Sequence, residues 1–307
     1  MKVSKPDRVL KVADVSSLAF ASKAELVART GKVVEVVDVA TGASQRQIAV
    51  GPEGYRITTI DGLVFAGHKT LAGYEVATGK KVVSFKGHTQ EVLAIAAAHE
   101  RKLLATGSAD NTLRVWDRTS GAQLAKIAHG KRSVVAVAFA PDAKSVYSVD
   151  ADEALRCFEV PSGKRKLEVQ IDPDSRSDDA VLAASIDGRV VTAVGSRTNE
   201  EPGQQPVRIW KDGTIAASPA WPALKSGHFA VRSAAFSTRG ELLVVVVWHD
   251  YNSSSRVMAI ELWDAKTAKH VRRIALSTNR IFDVAFSPDD SLLAAATSDH
   301  IALFDLA

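Results

Sequence analysis

A length of 307 residues is a common size for two domains, yet all-β architectures reach it as one, and no Pro/Ser/Gly-rich boundary divides this chain. With 39 Lys+Arg against 35 Asp+Glu, the net charge of +4 is mildly basic, and clusters such as Lys131-Arg132, Lys164-Arg165-Lys166 and Arg272-Arg273 are too short, and too free of interleaved aromatics, for a nucleic-acid surface. Apolar runs such as Leu242 to Val247 are too short to span a bilayer, and one cysteine, Cys157, cannot form an internal disulfide.

In chain order, the first ten residues carry charges but no apolar stretch of signal-peptide length, so a cytoplasmic location is expected. Asp7 to Val12 has the composition of a lone strand, and Ser17 to Phe20 opens a series of strand-length apolar runs. Gly, Asn, Asp and Ser clusters separate these runs, which argues for short antiparallel strands rather than helices. Every third run ends on a turn: Ala40-Thr41-Gly42, Ala77-Thr78-Gly79, Thr119-Ser120-Gly121, Pro161-Ser162-Gly163, Lys211-Asp212-Gly213 and Lys266-Thr267-Ala268. Third strands are expected at 33–38, 70–75, 112–117, 154–159, 206–211, 256–264 and 300–305, which makes seven units.

The most complete unit, 86–127, holds Gly87-His88, three apolar runs, the turn at Asp110-Asn111, and Trp116-Asp117. A period of about 40 to 45 residues with Gly-His and Trp-Asp resembles the WD-repeat β-propeller family over the whole chain. The resemblance implies an all-β fold: seven blades of four antiparallel strands, in one domain spanning 1–307. The last blade lacks an outer strand at the C-terminus, so the run at 7–12 is expected to supply it and remove an unpaired edge.

Ser, His and Asp in one repeat suggest a hydrolase when read alone. The resemblance implies instead a structural hydrogen-bond network of His88, Ser108, Asp110 and Trp116. It is kept in part as His129 and Asp152 in the fourth blade and as His228 and Trp263 in the sixth. Gly67-His68 falls in a turn between strands and is a false match. The aspartates at 172, 174, 178 and 179 lack calcium-loop spacing, and no zinc or phosphate motif occurs, so no metal or cofactor is expected.

Three long segments, 196–205, 218–225 and 248–255, converge on one sector of the top face near blades five and six. Loops on a rigid scaffold carry function, and Trp, Tyr and Arg dominate binding hot spots. Arg197, Trp221, His249 and Tyr251 are therefore candidate contacts, with Tyr55, Gln90, Arg132 and Arg280 around the mouth of the central channel. The expected function is non-enzymatic recognition of a protein or peptide. The alternatives are a regulatory subunit for a separate ATPase, nuclease or protease, and a propeller hydrolase or lactonase, although the inner runs at 94–97 and 135–138 are small and apolar.

Overall fold

The computed structural model describes residues 5–52, 54, 56–98, 100–152, 154–171, 180–194, 207–212, 214–219, 228–250, 256–276 and 280–306. For residues 180, 194, 228–230, 248–250, 256 and 257 the backbone alone is described. The short apolar runs pair with their sequence neighbours into seven four-stranded antiparallel sheets, arranged as the blades of a ring.

Blade one comprises Val15–Phe20, Glu25–Thr30, Val33–Asp38 and Ser44–Ala49; blade two comprises Thr58–Ile60, Leu63–Gly67, Leu71–Glu75 and Lys81–Phe85. Blade three is Val92–Ala98, Leu103–Ser108, Thr112–Asp117 and Gln123–Ala128, and blade four is Val134–Phe139, Ser145–Asp150, Ala154–Glu159 and Arg165–Gln170. Blade five is Ala180–Ala184, Val190–Val194, Val207–Lys211 and Thr214–Ala217, and blade six is His228–Phe236, Leu242–Asp250, Arg256–Asp264 and His270–Ala275. Blade seven is Ile281–Phe286, Leu292–Thr297 and Ile301–Asp305, completed by Arg8–Leu10. The closing register is Arg8↔Leu303, Val9↔Ala302 and Leu10↔Ile301. Three rungs close the ring, fewer than the six residues of the run at 7–12, because Val12 turns back to donate its amide to Leu10 O.

Second strands are covered by blades on both sides, so Leu103–Ser108 and Leu292–Thr297 are buried along their whole length. The blades need steep twist, and bulges supply it. Inner strands skip one residue at Val15/Ser17, Val92/Ala94, Val134/Ala136, Val231/Ser233 and Ile281/Asp283.

The recurrent turn after each third strand has a common chemistry. The side chains of Asp38, Glu75, Asp117, Glu159 and Asp264 accept the hydroxyl three residues on, from Thr41, Thr78, Ser120, Ser162 and Thr267, at 2.7–3.1 Å. The next residue takes the left-handed conformation, as in Gly42 at φ 72° and Gly121 at φ 76°; in blade six Ala268 does so at φ 54°. The backbone amide and hydroxyl of Thr41 hold Asp38 below the usual carboxylate range, and those of Ser120 and Thr267 do the same for Asp117 and Asp264.

The carbonyl following that acid is gripped from the preceding blade. Arg8 donates to Val39 O at 3.2 Å, Arg46 to Val76 O at 2.7 Å, Arg101 to Val160 O at 3.3 Å, and Arg189 to Ala265 O. At blade three the equivalent residue is Arg118, which reaches back 2.6 Å to Asp61 of blade two. Several cationic side chains at the underside are thus fasteners between blades.

Candidate functional site

In blade three, Gly87-His88 leads the chain onto the top face and drops the imidazole into the sheet. A Cβ on Gly87 would lie 2.1 Å from Arg114 Nη1, so the guanidinium occupies the space that a larger residue would need. His88 Nδ1 lies 2.9 Å from Asp110 Oδ2 and Nε2 lies 2.7 Å from Thr106 Oγ1. Trp116 Nε1 donates to the same Thr106 oxygen at 2.9 Å. With Nδ1–H given to Asp110, Nε2 accepts the Thr106 hydroxyl proton, and every polar group is used. Burial lowers the His88 pKa, outweighing the opposing bond to Asp110. Burial works to raise that of Asp110, but hydrogen bonds from Thr112, His88 and the Thr89 amide hold it at about 2.

The hydroxyl in this network belongs to Thr106, not to Ser108 as expected. Ser108 instead donates to Gln90 O at 3.4 Å and accepts the Asp110 amide at 3.1 Å, pinning the turn. The two side chains share a face at strand spacing, and the imidazole reaches past Ser108 to the level of the indole.

Blade four uses a different carboxylate from the one expected. His129 Nε2 lies 2.6 Å from Ser148 Oγ, and Asp150 binds Arg156 and the amides of Asp152 and Ala154. Asp152 is exposed and pairs with Arg132 at 2.9 Å. His129 Nδ1 is faced by both Arg156 Nη1 at 2.8 Å and Asp150 Oδ2 at 3.4 Å. Burial opposes ionisation of Asp150, yet hydrogen bonds with His129, Arg156 and the Ala154 amide keep it at about 2.

In blade six Trp263 is fully buried with its ring edge-on to His270, and the buried Glu261 takes His270 at 2.7 Å and Arg273. The His228 backbone pairs with Asp250, and its side chain lies outside the described residues. Blade five repeats the indole–hydroxyl bond, Trp210 Nε1 to Thr192 Oγ1 at 2.8 Å. Thr106, Ser148 and Thr192 hold the same place in successive repeats. That recurrence was the available signal for the true hydroxyl position.

Gln90, Arg132 and Arg280 are exposed in the loops leading into blades three, four and seven. Tyr55, Arg197, Trp221 and Tyr251 lie outside the described residues, and His249 is placed by its backbone alone, paired with Phe229 and Val257. Segment 248–255 is not wholly a loop: Trp248, His249 and Asp250 extend the second strand of blade six. A groove of about 1060 Å³ also opens among the top-face loops of blades one to three, where His68 and Glu91 pair at 2.8 Å beside Asp14 and Lys32.

The central channel, a cavity of about 250 Å³, has two unlike sides. Ile95, Val135, Val137 and Leu182 make it apolar along blades three to five, matching the reading of the inner strands. Across from them lies a polar cluster that the sequence reading missed. Asp283 of blade seven accepts Ser17 Oγ at 2.7 Å, the Leu18 amide at 3.1 Å, Ser233 Oγ at 2.7 Å and Arg56 Nη1 at 3.0 Å. Arg56 Nη2 also donates to Arg232 O at 3.1 Å, so blades one, two, six and seven meet at one carboxylate. Ser17, Ser233 and Asp283 each follow an inner-strand bulge, a shared position visible only once the register is known.

Among the described residues no group of three or more His, Cys, Asp or Glu is arranged to hold a metal ion, and no helix is long and apolar enough to cross a membrane. Curated protein sequences include no match to the chain. The family model of the WD domain, G-beta repeat, matches residues 79–117 and 269–305. Each match runs from the turn before one blade's outer strand to the third strand of the next, the same one-strand offset that Arg8–Leu10 resolves at closure. Two such repeats, in a ring of seven four-stranded blades, are consistent with a WD-repeat family.

Proposed function

We propose that this propeller is a non-enzymatic recognition or scaffolding module of the cytoplasm that takes a protein or peptide partner on its top face, in the sector of blades five and six. WD-repeat propellers in general support such interaction roles. The observation that carries the sector is the height of blade six. Its first three strands have nine residues each, against seven, six and six in blade three, and they stay paired up to His228↔Asp250↔Arg256. At about 3.3 Å per residue, three added rungs raise a step of about 10 Å above the ring.

The polar groups of the interior support a binding role over a catalytic one. Ser17 and Ser233 donate to a carboxylate that an arginine already engages, which is not how a nucleophile is activated. Cys157 is a buried free thiol, in keeping with a reducing compartment.

A photoreactive residue at position 251, compared with one at exposed Glu100 on the underside, tests the sector in the native host. A discrete crosslinked protein is expected from 251 alone, and it should vanish when Arg197 and Trp221 are replaced by alanine. Equal labelling from both faces, or labelling indifferent to the double variant, would put the partner elsewhere.

A further inference from the structure

We infer that the ring is closed twice: an inner latch centred on Asp283 holds blade seven to blade one independently of the outer strand, which leaves Arg8–Leu10 a strap that opens and reseals while the propeller keeps its shape.

The latch occupies one repeated position. The residue that follows each inner-strand bulge lines the channel, as Ser17, Ala94, Ala136, Ser233 and Asp283 do. Alanine fills that position in blades three and four, where the chain runs directly from one blade into the next. The strands of blade seven between Ile281 and Asp305 meet blade one through non-covalent contacts alone, and at that junction the position turns polar. One oxygen of Asp283 accepts Ser17 Oγ at 2.7 Å and the Leu18 amide at 3.1 Å, both from blade one. The other accepts Ser233 Oγ of blade six at 2.7 Å and Arg56 Nη1 at 3.0 Å, and the Ile57 amide entering blade two donates to Ser17 Oγ at 3.3 Å. Ser17, Ser233 and Asp283 are all buried, and hydrogen bonds to a buried carboxylate are strong and costly to leave unmade. Beside the latch, Val15, Leu18 and Phe20 of blade one share an apolar cluster with Leu292, Ala294 and Ala296 of blade seven.

The outer strand is held far less firmly. It has three rungs, Val9 is 50% exposed, and Leu10 alone of its three residues is buried. Its ion pair, Arg8 to Asp305 at 3.7 Å, joins side chains that are 37% and 58% exposed, and water screens such a pair to little value. None of the donors to Asp283 named above comes from this strand. Its release breaks the rungs and uncovers one apolar side chain, while every bond of the latch stays made. Local opening of this kind, at a free energy below that of global unfolding, is the expected behaviour of an edge with few buried contacts.

Amide hydrogen exchange of the full chain, with and without Asp283→Asn, separates one closure from two. In the unsubstituted protein the amides of Arg8–Leu10 should exchange faster than those of Val15–Phe20 and Ile281–Phe286, and with little response to low urea, because strap release exposes little surface. Asp283→Asn should speed exchange of both inner strands by about tenfold or more. It should leave the rate at Arg8–Leu10 unchanged, since the strap opens from a ring that the substitution affects equally before and after release. Ser17→Ala removes a single donor from blade one; it should act in the same direction by a smaller factor and decides the matter if Asp283→Asn does not fold. Acceleration of Arg8–Leu10 together with the inner strands would mean one closure that opens all at once, and would overturn the inference. Equal protection of strap and inner strands in the unsubstituted protein would overturn it as well, as would inner strands indifferent to Ser17→Ala.

Discussion

A single hydroxyl decides how the best-formed blade is wired. Thr106 serves both His88 and Trp116, so Thr106→Val, nearly the same shape, leaves an indole N–H and an imidazole nitrogen buried without a partner, costing about 1–3 kcal/mol. Ser108→Ala should cost less, since its bond to Gln90 O is long at 3.4 Å. Urea melts of the two variants check the order, and a larger loss for Ser108→Ala would contradict the assignment. The same network predicts acid sensitivity. The His88 pKa lies below its unfolded value of 6.5, so the unfolded chain takes up a proton first and stability falls as pH drops through that value. Asp110 lies at about 2 against 3.8, so its contribution is complete above 3.8 and is lost as pH falls toward 2. Melting temperature should therefore decline in two steps, the lower of which is shallower in Asp110→Asn, and an NMR titration should place the His88 imidazole below 6.5.

At the scale of the element, the turn after the third strand recurs because an acid, a hydroxyl three residues on and a left-handed residue form one unit. Blade six departs from it only in Ala268, whose φ of 54° strains an alanine where other blades have glycine. Ala268→Gly is expected to raise stability by about 0.5 kcal/mol, the relief of strain exceeding the added freedom of the unfolded chain; a lower melting temperature would show the turn to be unstrained. The turns were legible in the sequence because their chemistry is local. The arginine fasteners were not, since Arg189 and Ala265 are 76 positions apart and no local pattern joins them.

For the whole molecule, closure rests on three rungs between the first strand and blade seven, backed by buried Leu10 and by the Arg8 bonds to Val39 O and Asp305. Leu10→Ala removes a buried side chain at the seam, with an expected loss of about 2–5 kcal/mol. Hydrogen exchange checks the location: amides of Ile301 to Asp305 should lose more protection than those of blade four, and uniform loss would mean that the seam is not a separate weak point.

Composition and spacing alone determined the number of blades, their strand order and the need for the opening residues to complete the last one, because strand period, turn chemistry and repeat length are properties of short segments. Tertiary structure decided which carboxylate and which hydroxyl join each imidazole, the height of blade six, and the meeting of Arg56, Ser17, Ser233 and Asp283. Those depend on register and on bulges, and a one-residue skip in an inner strand redirects a side chain toward or away from the channel without leaving a mark in the local sequence.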